Sequence, residues 1–221
     1  MKLDHVTDTS QSSRETIQRS HQLNGESAQL RAYYQQWADS YDDDVRAEDY
    51  RGPQVMAELL EQWRRARPAE TAVLDAGCGT GLVGAELRRR GYPLIDGCDL
   101  SDEMVDLARQ THAYRQLHPG VDLNWDLGTV GAGRYDAVIC CGVFTLGHVL
   151  PAALNQLLKA VRPGGLVLVS TRDHYLKTSG FRQHLSWLRR EGRADLRHAR
   201  HDAPYIADES ASYWVLQLPT G

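Results

Sequence analysis

The sequence predicts an α/β protein built on a doubly wound, mostly parallel sheet, closed at one edge by an antiparallel C-terminal strand pair. Three observations predict it. Apolar runs of strand length alternate with amphipathic segments from residue 72 to residue 171, the pattern of right-handed parallel crossovers. The first run opens into a loop with four glycines, VLDAGCGTGLVG at 73–84, and a helical pattern follows. The last two strand-like runs, 202–206 and 212–218, have too little chain between them for a crossover helix and should pair antiparallel.

The elements follow in order. Residues 1–26 are polar, rich in Ser, Thr and Gln and without a sustained period, and are expected to form a mobile tail. Residues 27–221 read as one domain, with 27–68 helical and 69–221 the sheet core. From Ser27, Leu30, Tyr33, Tyr34, Trp37 and Tyr41 recur at spacings of three and four, so the aromatics share one helical face. Arg51-Gly52-Pro53 breaks the chain, and Val55, Leu59, Leu60 and Trp63 mark a second helix ending before Pro68. Strands are expected at 72–77, 93–100, 121–125 (the weakest), 135–142 and 164–171. Helices are expected up to Arg90, from Ser101, through Leu158 and around 180–190. The apolar strands suit a sheet covered on both faces.

Composition narrows the function. A chain of 221 residues, 42% hydrophobic, is long enough for one well-buried core. A net charge of −4 leaves no electrostatic footprint for a nucleic-acid backbone. The arginine runs at 64–67 and 88–90 fall at helical spacing and read as solvated faces. No window has the apolar length of a membrane span, and the N-terminus lacks the apolar core of a secretory signal, so a cytoplasmic location and no membrane partner are expected. Cys78, Cys98, Cys140 and Cys141 show no paired spacing and no nearby histidine set, which suggests buried reduced thiols and no metal site.

In an open parallel sheet, ligands bind beyond the carboxyl ends of the strands where strand order reverses, and the glycine loop sits there. Gly77, Gly79 and Gly81 let the backbone turn tightly and approach a ligand, while the next helix offers free N–H groups. Residues 79–84 alone also satisfy the GxGxxG dinucleotide pattern, a weak match by itself. Asp99, ending the second strand, stands where an acid would accept hydrogen bonds from ribose hydroxyls, which points to a nucleoside without saying which. Asp75 separates the candidates: a carboxylate beside a pyrophosphate would cost several kcal/mol, whereas beside a sulfonium or amino group it is favourable. The same carboxylate could instead be tied up by loop N–H groups.

The run VLDAGCGTG at 73–81 resembles motif I of class I S-adenosylmethionine-dependent methyltransferases, and RPGG at 162–165 resembles their late turn. The leader at 33–53, the run at 81–92 and GVFTLGHV at 142–149 are similar to the group formed by the small methyltransferase encoded in the Williams–Beuren syndrome region and its bacterial relatives. The resemblance implies a Rossmann-like core, S-adenosylmethionine as cofactor and an N-terminal helical lid. It places Gly77, Cys78, Gly79, Thr80 and Gly81 along the methionine moiety and Asp99 on the ribose. Leu100 and Met104 would sandwich the adenine, Asp122 and Leu123 would read its amino edge, with Asp126 as the alternative to Asp122, and Gly142 would lie near the sulfonium.

By the same resemblance Tyr33 and Tyr41 belong to the lid over the cofactor, whereas Trp37 is expected to pack the leader onto the core. Arg51 either meets a carboxylate or stays at the surface. His148 follows the fourth strand where an acceptor should arrive and could take its proton, or it could fix the loop by hydrogen bonding. Relatives often carry a histidine where Leu146 stands. His174 is a second candidate against a solvent-facing role. The expected function is transfer of a methyl group to a small molecule. Alternatives are another reaction of bound S-adenosylmethionine, such as cyclisation or decarboxylation, a non-catalytic nucleoside-binding module, and an NAD-dependent oxidoreductase.

Overall fold

A computed structural model describes residues 13, 15, 16, 19 and 23, residues 26–206 and residues 209–220. Most of the tail expected over residues 1–26 lies outside the described residues. Helix α1 (Ser27–Ala47) and helix α2 (Gly52–Trp63) precede the sheet. The alternating core then runs β1 (Val73–Ala76), α3 (Leu82–Arg89), β2 (Ile95–Cys98), α4 (Asp102–Gln110), β3 (Gln116–His118), β4 (Tyr135–Phe144), α5 (Leu154–Ala160) and β5 (Val161–Arg172). It ends with α6 (Asp173–Thr178), α7 (Phe181–Arg190), β6 (Asp195–Ile206) and β7 (Glu209–Gln217).

The strands form one seven-stranded sheet in the order β3-β2-β1-β4-β5-β7-β6. From β3 to β5 the neighbours are parallel, and β7 pairs antiparallel with both β5 and β6. Alternate residues of the central strands feed opposite faces, as the period of two requires. Val73, Ile139 and Leu168 pack with α2 and α3, whereas Leu74, Val138 and Val167 pack with α5 and α7. Buried carboxylates tie the strand starts together. Asp136 of β4 accepts from the Ala72 N–H at 2.8 Å and from Arg64 Nη2 at 2.6 Å.

The strand expected over residues 121–125 is not there. The third strand is Gln116–His118, paired with Asp96, Gly97 and Cys98 of β2. Arg115 fixes it by donating from Nε and Nη2 to the buried Asp96 carboxylate at 3.0 and 2.9 Å, and Tyr135 Oη donates to the same group at 3.0 Å. Pro119 and Gly120, the latter at φ +72°, end the strand. Residues 121–125 then form a turn in which Asp122 Oδ1 accepts the Asn124 N–H at 2.9 Å. The apolar Val121 and Leu123 that suggested a strand instead face the cleft beyond the sheet's carboxyl edge. β6 also begins earlier than residue 202, because its first half is a charged edge with most side chains exposed.

Among the described residues, no helix is long and apolar enough to cross a membrane and no cluster of three His, Cys, Asp or Glu side chains could hold a metal ion. All four cysteines are buried.

Candidate active site

Strand order reverses between β1 and β4, and the cleft lies at their carboxyl ends. Including solvent at its mouth it encloses about 740 Å³. Each βα connection contributes one part of the wall: Gly77 and Gly79 from the first, Asp99 and Leu100 from the second with Met104 of α4 behind them, and Asp122 and Leu123 from the third. Gly142 comes from the carboxyl end of β4 and His148 from the chain after it, and Tyr41 reaches in from α1. The sequence reading named all of these. It did not name Leu30, Tyr34, Val121, Asn124, Cys141, Val143 and Val149 as site residues, and they complete the wall.

The glycines divide into two groups. Gly79, at φ +52°, has no heavy atom within 4 Å of where a Cβ would stand, so it borders open space. Gly77, at φ +75°, closes against Val143, whose Cγ2 lies 2.4 Å from the same construction. Gly84 and Gly97 instead make room for the ring of Tyr114, which a Cβ would approach to 2.2 and 2.9 Å. Gly81, also against Tyr114 at 3.2 Å, begins α3 and lies outside the cleft wall.

Asp75 does not stand at the mouth of the loop. Its side chain is fully buried behind it. Tyr114 Oη donates to Oδ2 at 2.7 Å, and Oδ1 has no hydrogen-bond partner. Burial, with the Asp99 carboxylate nearby adding a smaller push, raises its pKa to about 7 against the pull of Tyr114. The charge argument from sequence placed this acid beside a ligand cation, and the fold turns it inward because Tyr114, almost forty residues on, fills the space the glycines leave.

Other expected residues also lie outside the cleft wall. Cys78 packs with Val105 and Ala108 of α4. Thr80 Oγ1 donates to Asp42 Oδ1 of α1 at 2.6 Å. Tyr33 Oη donates to the Thr16 carbonyl. Trp37 is buried in the face shared with α2, as the packing account expected. Arg51 is at the surface beside Asp49, and His174 and Asp126 are exposed.

Asp99 is preorganised by its own loop and by the glycine loop. Its Oδ2 accepts the Gly79 N–H at 2.8 Å and its Oδ1 the Ser101 N–H at 2.9 Å, while burial raises its pKa. Ser101 caps α4 by accepting the Met104 N–H at 3.2 Å, which sets Met104 against the cleft. With apolar Leu100, Met104 and Leu123 beside an acceptor-only carboxylate, these walls suit a flat ring attached to a hydroxyl-bearing sugar.

Three hydroxyl bonds hold α1 across the entrance. Besides Thr80 and Asp42, Ser27 Oγ donates to Asp122 Oδ2, and Tyr34 Oη meets His148 Nε2 at 2.7 Å. His148 Nδ1 lies 3.0 Å from the Leu146 carbonyl, so Nδ1 carries the hydrogen and donates to it, and Nε2 accepts from Tyr34. Burial pushes the imidazole pKa down to about 4. The ring is therefore neutral at pH 7 and a weaker base than an exposed histidine.

The comparisons with known proteins agree with this geometry. Residues 12–215 match a sequence family described as "Methyltransferase domain". Methyltransferase-like protein 27 of Homo sapiens is 35% identical over 154 residues, 66% of this chain and 59% of that protein. Ubiquinone biosynthesis O-methyltransferase of Shewanella pealeana is 37% identical over 113 residues, 48% of this chain and 45% of that one. The chain thus spans about half the length of the curated relatives it matches. Among solved structures, magnesium protoporphyrin IX methyltransferase from Synechocystis with bound SAM superposes with a TM-score of 0.64 at 18% identity, covering 87% of this chain and 96% of that one. A TehB-like SAM-dependent methyltransferase from Corynebacterium glutamicum gives 0.62 at 20%, covering 85% and 98%. These two establish the fold.

Proposed function

Because the chain belongs to the methyltransferase domain family, whose cofactor is S-adenosylmethionine, we propose that it transfers the cofactor's methyl group to a small-molecule acceptor. The observation that carries the reading is the cleft at the β1–β4 reversal, where Asp99, the bare backbone of Gly77 and Gly79, and apolar Leu100, Met104 and Leu123 converge. The small-molecule methyltransferases among its relatives, such as the ubiquinone enzyme, support the acceptor class.

When bound, the cofactor supplies a methyl carbon on a positively charged sulfur, so an acceptor lone pair forms the new bond while the carbon–sulfur electrons return to sulfur. Asp99 would accept the ribose O–H donors. Leu100, Met104 and Leu123 would flank the adenine, and Asp122 would meet its amino edge. Gly77, Gly79 and Gly142 would bring only backbone to the methionine and methyl end. Residues 27–68 would act as a lid whose Tyr34 and Tyr41 exclude water, so the protein's main contribution is orientation. His148 is a positioning residue in this account, since its neutral imidazole holds the Tyr34 hydroxyl. A proton carried by the acceptor would leave to solvent.

The test is turnover with methyl-labelled S-adenosylmethionine and a panel of small oxygen, nitrogen and sulfur acceptors. Label recovered in the product supports transfer. Product formed without label rejects it in favour of another reaction, and failure to bind S-adenosylhomocysteine by calorimetry rejects the cofactor assignment itself.

A further inference from the structure

A second chamber adjoins the first on the β5 side of Gly142, enclosing about 390 Å³ with its mouth. Tyr34, Tyr41 and Gly142 line both chambers, so Gly142 is the doorway between them. A Cβ at this position, φ +81°, would stand 3.1 Å from Tyr50 Oη and 3.2 Å from Tyr205 Oη, which places both hydroxyls at that doorway. Their rings meet edge to face at 5.1 Å.

At the other side of this aromatic box lies a cation. Arg172, the last residue of β5, lines the chamber with its side chain only 12% exposed. Its guanidinium carbon sits 5.6 Å from the Tyr205 ring centroid. Glu209, half-exposed at the start of β7, pairs with it. Glu209 approaches from the solvent side, where an incoming anion can share the guanidinium with it. A planar guanidinium beside the Tyr205 ring suits a flat carboxylate-bearing ring, through a bidentate pair and ring contact together.

Resting on the methyl-transfer reading above, we propose that this chamber seats the acceptor, and that the acceptor is a small aromatic acid whose carboxylate pairs with Arg172 while its reactive side faces Gly142. The chamber's polar groups separate naturally into an anion seat at Arg172 and hydroxyl donors at the doorway.

Calorimetry with the hydroxybenzoate isomers and the matching hydroxybenzamides, in the presence of saturating S-adenosylhomocysteine, tests this on the full chain. At least one acid should bind about tenfold or more tighter than its amide. Arg172→Gln should abolish that preference while leaving S-adenosylhomocysteine affinity within about twofold, and its thermal melt reports whether the fold is kept. Glu209→Gln, which removes the competing carboxylate from the surface, should tighten acid binding by about threefold or more. Binding of S-adenosylhomocysteine with equal affinity for acids and amides, or with no binding of either, overturns the proposal and leaves the cofactor assignment standing. So does acid preference that survives in a folded Arg172→Gln protein. Absence of S-adenosylhomocysteine binding overturns the methyl-transfer reading and this proposal with it.

Discussion

Replacing Asp75 with Asn should tilt the pH dependence of stability. Burial raises this carboxyl from its ordinary 3.8 to about 7. The folded state therefore holds a proton that the unfolded state has released between those values. The associated stability is full below 3.8 and is lost as pH rises through 7. Between pH 5 and pH 8 the loss spans two units of effective shift at 1.36 kcal/mol each, about 3 kcal/mol. His148 works in the opposite direction. Its folded pKa of about 4 lies below the ordinary 6.5, so stability falls as pH drops below 6.5, by about 2 kcal/mol at pH 5. The two nearly cancel in the wild type, which makes the difference between proteins the informative quantity. Asn carries no titration, so urea unfolding at pH 5, 6, 7 and 8 should show Asp75→Asn gaining about 3 kcal/mol on the wild type across the range. Unpaired amide N–H groups add a constant penalty of about 1–3 kcal/mol, which shifts the curve without tilting it. A pH-independent difference, or a tilt of opposite sign, would refute a buried, proton-holding Asp75.

Two further substitutions probe the cleft. Asp99→Ala should weaken S-adenosylhomocysteine binding by about 1–3 kcal/mol in calorimetry, and unchanged affinity with an intact fold would remove it from the ribose role. Gly77→Ala forces a left-handed backbone on a residue with a Cβ and drives it into Val143; destabilisation of about 1–3 kcal/mol is expected by urea unfolding, partly relieved by adding Val143→Ala, and an unperturbed single variant would contradict the loop geometry.

How much was legible in the sequence depended on burial. β1, β2, β4 and β5 are apolar runs because both faces are covered, and each stood out. β3 did not, since three partly exposed edge residues leave no apolar signature and the strand is specified by Arg115 and Asp96 instead. The cofactor loop was readable as a loop, yet the sequence could not divide its glycines between open space and the ring of Tyr114, because that ring arrives from beyond α4. Helical periodicity explains the choice of Tyr33 over Tyr34. A step of four residues advances about 40° around a helix, whereas a step of seven misses by only about 20°, so Tyr34 lines up with Tyr41 and Tyr33 drifts away. His148 lines the cleft, but its low basicity depends on burial and on the Arg172 charge, neither of which its neighbours in sequence reveal.

Tyr34, Tyr41 and the Gly142 backbone form a party wall between two compartments, and a party wall makes their occupants thermodynamic neighbours. Any ordering of that wall by one guest is inherited by the next, and linkage requires the benefit to be mutual: the factor by which the first tightens the second is the factor by which the second tightens the first.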